Sequence, residues 1–184
     1  MNIFIVDTEY ISISKSKSSF EQLVKFKKIK FPEIFQFSMI EISDFDNLKI
    51  LNKYNFYIKT KHNIPSRLIK LTNLNLSKYS KARNFKDFLK SINRIIKNKS
   101  LIICNGEDIE LLNLNTSFNN EKKLKKKINL LNLRTFIKKE TGLSLETEKL
   151  KKYFKIKNIK HVHDSLEDCK IILHSLKKLK KKKS

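Results

Sequence analysis

A chain of 184 residues with only 2 Gly and 2 Pro is the size of one ordinary domain and too short for two comfortable ones. Forty per cent of it is apolar, including 13 Phe, which excludes a disordered chain even though 32% is charged. The balance of 41 Lys+Arg against 18 Asp+Glu, a formal net charge of +23, calls for a polyanionic partner, nucleic acid first, because such a surface attracts phosphates and releases their counterions.

Only four of the basic residues are arginines, Arg67, Arg83, Arg94 and Arg134. Lysine is a point charge without arginine's bidentate fork, so the composition favours tracking a backbone over reading bases. It also matches an A+T-rich coding bias, so charge by itself names no activity. No apolar segment approaches the roughly 20 residues of a membrane span, and Asp7 interrupts the first apolar run. The expectation is a cytoplasmic protein without signal peptide or membrane contact. Cys104 and Cys169 lie in apolar surroundings without metal-ligand spacing, which predicts buried free thiols rather than a disulfide or a zinc site.

In chain order, residues 2–6 form a nearly continuous run of aromatic and β-branched residues, the pattern of a strand buried on both faces. Residues 11–30 read as a connection carrying a short helix at 19–27. Residues 33–42 and 55–59 read as strands, with the turn-rich Asp44, Phe45, Asp46 and Asn47 between them completing an antiparallel meander. A short helix is predicted over 66–71. Over 84–97, the helical spacing of Phe85, Phe88, Leu89, Ile92, Ile95 and Ile96 marks an amphipathic helix. A buried strand at 100–104 leads to a helix at 107–114, a short strand at 128–131, and helices at 132–140 and 146–154. The last helix is predicted over 165–180, with a stripe of Leu166, Cys169, Ile172, Leu173, Leu176 and Leu179, and with Asp164 and Glu167 placed as a capping pair. A meander followed by alternating strands and helices implies an α/β fold with a mixed sheet. The lysine-rich stretches 121–127 and 177–183 read as solvated loop and fraying end.

Three acidic motifs stand out against this frame. Asp7 and Glu9 follow the most apolar strand at a spacing of two, so both point to one side, and adjacent carboxylates at the edge of a core repel unless a cation neutralises them. A divalent metal is the natural partner; two solvated charges at a strand end is the alternative. Asn105-Gly106-Glu107-Asp108-Ile109-Glu110 follows the 100–104 strand, and acidic residues there also suit the dipole of a first helical turn. His163 precedes Asp168 by five residues at the opening of the last helix.

Taken together, in this order and spacing, the three motifs resemble the DEDDh (DnaQ-like) group of 3′-5′ exonucleases, whose domain is ribonuclease H-like. The resemblance extends to the 32–42 strand, to Phe56-Tyr57-Ile58-Lys59 with Ile64-Pro65-Ser66, and to Leu71-Thr72-Asn73-Leu74, and so covers most of the chain. It implies a five-stranded mixed sheet, an antiparallel meander plus parallel strands, flanked by helices. It implies an exonuclease domain over 1–176 followed by a basic tail at 177–184. It further implies that Asp7, Glu9, Asp108 and Asp168 hold two Mg²⁺ (or Mn²⁺) ions and that His163 is the general base, with His161 the lesser candidate. Four carboxylates against two divalent cations leave a site near neutrality that a phosphodiester can enter. The middle motif departs from many relatives: the aspartate stands two residues after Gly106, which assigns the position to Asp108 with Glu107 and Glu110 as alternatives. The implied activity is hydrolysis from the 3′ end of single-stranded DNA or RNA, releasing nucleoside 5′-monophosphates. Tyr10 and Phe37 could stack on terminal bases or simply pack in the core or at the rim. A proofreading role would require a polymerase partner, which no sequence feature identifies. The reading from another class is a non-catalytic basic nucleic-acid-binding module on the same fold; a ribosome-associated basic protein is a third.

Overall fold

The computed structural model describes residues 1–11, 32–122, 127–159 and 163–183. The helix expected at 19–27 and His161 lie outside them, as does part of the 121–127 lysine run.

Five strands form one sheet: β1 (Ile3–Ile11), β2 (Glu33–Ile42), β3 (Ile50–Tyr57), β4 (Leu101–Cys104) and β5 (Asn129–Asn132), in the order β3-β2-β1-β4-β5. β1 to β3 form the antiparallel meander, and β4 and β5 add in parallel beyond β1. Seven helices complete the chain among the described residues: α1 (Ser66–Leu71), α2 (Leu76–Tyr79), α3 (Phe85–Ile95), α4 (Asp108–Phe118), α5 (Leu133–Thr141), α6 (Thr147–Tyr153) and α7 (Ser165–Lys183). This is the mixed, helix-flanked five-stranded sheet expected from the sequence.

The period-two alternation of β1 divides the core in two. Ile3 and Ile5 pack with Ile40, Ile42 and Ile103 against α5, α6 and α7, where Ile137, Leu150, Cys169, Ile172 and Leu173 are buried. Phe4 and Val6 point to the other face and meet Phe37, Met39 and Ile102 under α3 and α4. There the Phe88 ring stands edge-on to Phe37 at 5.2 Å and to Phe56 at 5.6 Å between centroids. The stripe read on the 84–97 helix is the buried face of α3, with Ile95 only half-buried. Both cysteines are buried and free.

Several boundaries differ from the sequence reading. β1 continues to Ile11, so Asp7 and Glu9 sit inside a paired strand rather than past its end: Asp7 faces Ser38 and Glu9 faces Gln36 on β2 before a bulge between Glu9 and Tyr10. β3 starts at Ile50 and ends at Tyr57, because its register is set by pairing along β2 and not by its own composition. The four-residue α2, capped by the Asn75 side chain accepting from Lys78 N, has too few residues to show a period. α7 runs through the basic residues to Lys183, so they extend the helix rather than leave it. At its other end Asp164 Oδ1 accepts from the N–H groups of Leu166 (3.0 Å) and Glu167 (3.2 Å), while the Glu167 side chain pairs with Lys170 instead of returning to the cap. No helix among the described residues is long and apolar enough to cross a membrane.

Candidate active site

The C-terminal ends of the two parallel neighbours β1 and β4 open at one edge of the sheet, and a cavity of about 650 Å³ lies there. Asp7, Glu9, Asp108, His163 and Asp168, read from three separate motifs, all line it. Each arrives by a different device. β1 carries Asp7 and Glu9 on the face that α7 covers, and α7 brings Asp168 in its first turn. Asp108 opens α4 directly after the β4 turn and accepts a 2.8 Å hydrogen bond from the Thr8 hydroxyl, whose residue points to the opposite face of β1. His163 holds a positive φ of 71° just before α7, and its N–H donates to Asp168 Oδ2 at 3.2 Å. A backbone held there by a bond to the acidic group fixes where the imidazole departs from the chain.

The remaining polar contacts frame this geometry. Asn105 Nδ2 donates to Leu145 O (3.1 Å) and Thr147 Oγ1 (3.2 Å), tying the β4 turn to the entrance of α6, which lines the cavity with Thr147 and Glu148. On the β2 side, the Ser38 and Ser165 hydroxyls lie 2.6 Å apart and pin the start of α7 to the strand opposite Asp7. Of the three acidic candidates in the middle motif, Asp108 is buried whereas Glu107 and Glu110 are exposed, and Glu110 does not line the cavity. Phe37 is fully buried in the core, which removes it as a base-stacking residue; Tyr10 stands at the cavity wall.

The electrostatics are those of a site built to hold positive charge. Burial, followed by the charges of Asp108, Asp168, Glu9 and Asp164, pushes the Asp7 carboxyl well above its usual range. Glu9 is pushed up to about 9 by burial and then by Asp168, Asp108 and Asp164. Asp168 rises to about 7, burial outweighing the bond from the His163 N–H, and Asp108 to about 6, burial outweighing the Thr8 bond and the nearby Arg134. Asp168 Oδ1 is buried without a hydrogen-bond partner among the described residues. Ligand atoms of Glu9, His163 and Asp168 all lie within 4.8 Å of one another. Clustered oxygens that repel one another and include an unsatisfied one fit a hard divalent cation. Asp164 was legible only as a helix cap, yet its charge also bears on this group.

A family model described as exonuclease matches residues 4–176, and the chain belongs to that family. Its sheet and helices are ribonuclease H-like, so the resemblance carried by the three acidic motifs is borne out, and family membership supports nuclease activity. No curated protein sequence matches the chain. Among solved structures, it is similar to a 3′-exonuclease described in specific recognition of the 3′ end of a histone mRNA stem-loop (TM-score 0.77, 17% identity, covering 98% of this chain and 82% of that one). It is also similar to the cell-death related nuclease CRN-4 (0.73, 17%, 98% and 64%) and to exonuclease X in complex with 5′ overhanging duplex DNA (0.61, 12%, 99% and 93%). At these identities the likeness shows the fold.

Proposed function

We propose that the protein is a metal-dependent 3′-5′ exonuclease of the DEDDh type acting on single-stranded DNA or RNA, its exonuclease domain spanning residues 1–176. The observation that carries this reading is the convergence of Asp7, Glu9, Asp108, Asp168 and His163 on one cavity from β1, α4 and the start of α7. A space of about 650 Å³ is in the range of small-ligand sites and suits one terminal nucleotide better than the middle of a strand. Backbone-tracking lysines over the rest of the surface suit either nucleic acid.

Asp7, Glu9, Asp108 and Asp168 are the residues that would hold two Mg²⁺ or Mn²⁺ ions. Bound there, the ions supply charge neutralisation for the phosphodiester and Lewis-acid activation of its attack by water. The chain does the rest. The Thr8 hydroxyl donates to Asp108 and the His163 N–H to Asp168, and each bond favours the charged carboxylate against the burial that raises the two groups to about 6 and about 7. The His163 imidazole, beside Glu9 and Asp168, accepts the proton of the attacking water. The products are a nucleoside 5′-monophosphate and a strand one nucleotide shorter. A cytoplasmic setting, where thiols stay reduced, agrees with the two buried unpaired cysteines.

The decisive experiment incubates purified protein with 5′-labelled single-stranded DNA and RNA in Mg²⁺ or Mn²⁺, beside chelator, Asp7→Ala and His163→Ala controls. A ladder shortening from the 3′ end that disappears in all three controls supports the reading, and the faster substrate gives its class. Salt-sensitive binding of both strands with cleavage of neither would replace it with the non-catalytic module that the net charge of +23 favours.

A further inference from the structure

The cavity wall departs from the composition of the chain. Lysines outnumber arginines by 37 to four, yet among the described residues no lysine lines the cavity, whereas two arginines do, Arg67 from α1 and Arg134 from the first turn of α5. Arg134 is the better placed. A Cβ added to Gly106 would stand 3.6 Å from Arg134 Nη2 and 3.6 Å from Asp108 Oδ2, so guanidinium and carboxylate flank the same point of the β4 turn. The charge of Arg134 lowers the Asp108 carboxyl and opposes the rise of the Tyr10 phenol.

Arg134 is nevertheless in none of the ion pairs of the described residues, although carboxylates surround the cavity. Its Nε is buried and has no hydrogen-bond partner among the described residues. A buried N–H left unsatisfied costs free energy that a counter-ion role would have avoided by closing on Asp108. The planar guanidinium presents donors in a fixed fork that matches two oxygens of a phosphate, and it tolerates partial burial better than the strongly hydrated lysine ammonium. The half-buried site is therefore one where the two cations are not interchangeable.

We propose that Arg134 is a substrate-binding residue whose guanidinium fork grips one phosphate of the strand near its 3′ end, fixing the strand's position on the Asp108 side of the cavity. This rests on the reading of a nucleic-acid strand as substrate. Arg134 contacts a phosphate that carries no sequence information, so it acts on DNA and RNA alike.

The test measures binding by fluorescence anisotropy at one fixed salt concentration, with Ca²⁺ as the divalent ion. The strands carry either natural linkages or a single uncharged methylphosphonate at each of the last three positions in turn. For Arg134→Ala the natural strand should bind about 10- to 100-fold more weakly, the range of hydrogen bonds to charged groups. At one position the methylphosphonate should weaken wild type by a similar factor and Arg134→Ala by almost none. Arg134→Lys, which keeps the charge and loses the fork, should fall between them, and it carries the same comparison if Arg134→Ala does not fold. Lys90→Ala on α3, outside the cavity, should leave every ratio unchanged. If the methylphosphonate costs wild type and both Arg134 variants the same at every position, Arg134 touches no phosphate and the proposal falls. Cleavage by wild type in Mg²⁺ is scored separately: its absence overturns the nuclease reading while the binding comparison still decides Arg134.

Discussion

The two halves of β1 share a backbone but not a chemistry. Ile3 to Val6 are buried on both faces among apolar side chains, and their burial contributes roughly 25 cal/mol per Å² of apolar surface removed from water. Asp7 and Thr8, next along the same strand, are also buried, and Asp7 meets other carboxylates rather than methyl groups. The first half holds the fold together. The second half is kept in place by the first, by β2 pairing through Glu9 and by α7, and gathers mutually repelling carboxylates whose charge a cation would relieve.

The largest effect that would sharpen this contrast is at Asp7. Asp7→Asn should leave no detectable cleavage, yet raise the Tm of the metal-free protein, about 2–4 °C for each kcal/mol of repulsion relieved; paired activity and melting measurements check both signs. A fall in metal-free Tm would mean that Asp7 belongs with the structural half. His163→Ala should lower kcat by about 10²- to 10⁴-fold, the usual contribution of a general base, with little change in Mn²⁺ affinity by calorimetry. A large loss of Mn²⁺ affinity would instead make His163 a ligand, which its place beside Glu9 and Asp168 also permits.

On the structural side, Phe4 is fully buried, so Phe4→Ala should cost about 3–5 kcal/mol by denaturant unfolding while kcat of the folded fraction stays within a few-fold. Loss of activity out of proportion to folding would break the division between the two halves. The gentlest probe is pH. Carboxyls raised in the fold hold protons that the unfolded chain has already released, so the protonated cluster favours the folded state. Metal-free stability should therefore be greatest near and below the ordinary carboxylate range. It should decline as pH rises through about 6, 7 and 9, where Asp108, Asp168 and Glu9 give up their protons. Saturating Mg²⁺ should flatten that decline, since the ion binds the charged forms; a set of melts across pH with and without the ion measures it.

Much of the site was legible because its signals are local. The spacing of two between Asp7 and Glu9 follows from the strand period, and the five residues from His163 to Asp168 span one loop and a helical turn. The motif already favoured Asp108 over Glu107 and Glu110; that Asp108 is buried and the other two exposed is a difference it could not show. Thr8 and Arg134 carried no local signal of a role at the site. Arginine's rarity in this chain was the available hint. The extent of β3 and the short α2 were not legible for a related reason, since pairing with β2 sets the extent of β3 and the brief α2 has no period of its own, whereas the 66–71 helix was read at its bounds.

By itself, then, the sequence determined the α/β class, the meander, the apolar faces of α3 and α7 and the three acidic motifs, because each is written in a period of two or 3.6 residues or in a short spacing. Only the tertiary structure decided which carboxylates share one cavity, that Thr8 reaches Asp108 from the opposite face of β1, and that Arg134 stands beside it with no ion pair among the described residues. Those relations join residues about a hundred positions apart or on separate elements, and no local pattern encodes a distance that the packing of the sheet and its helices creates.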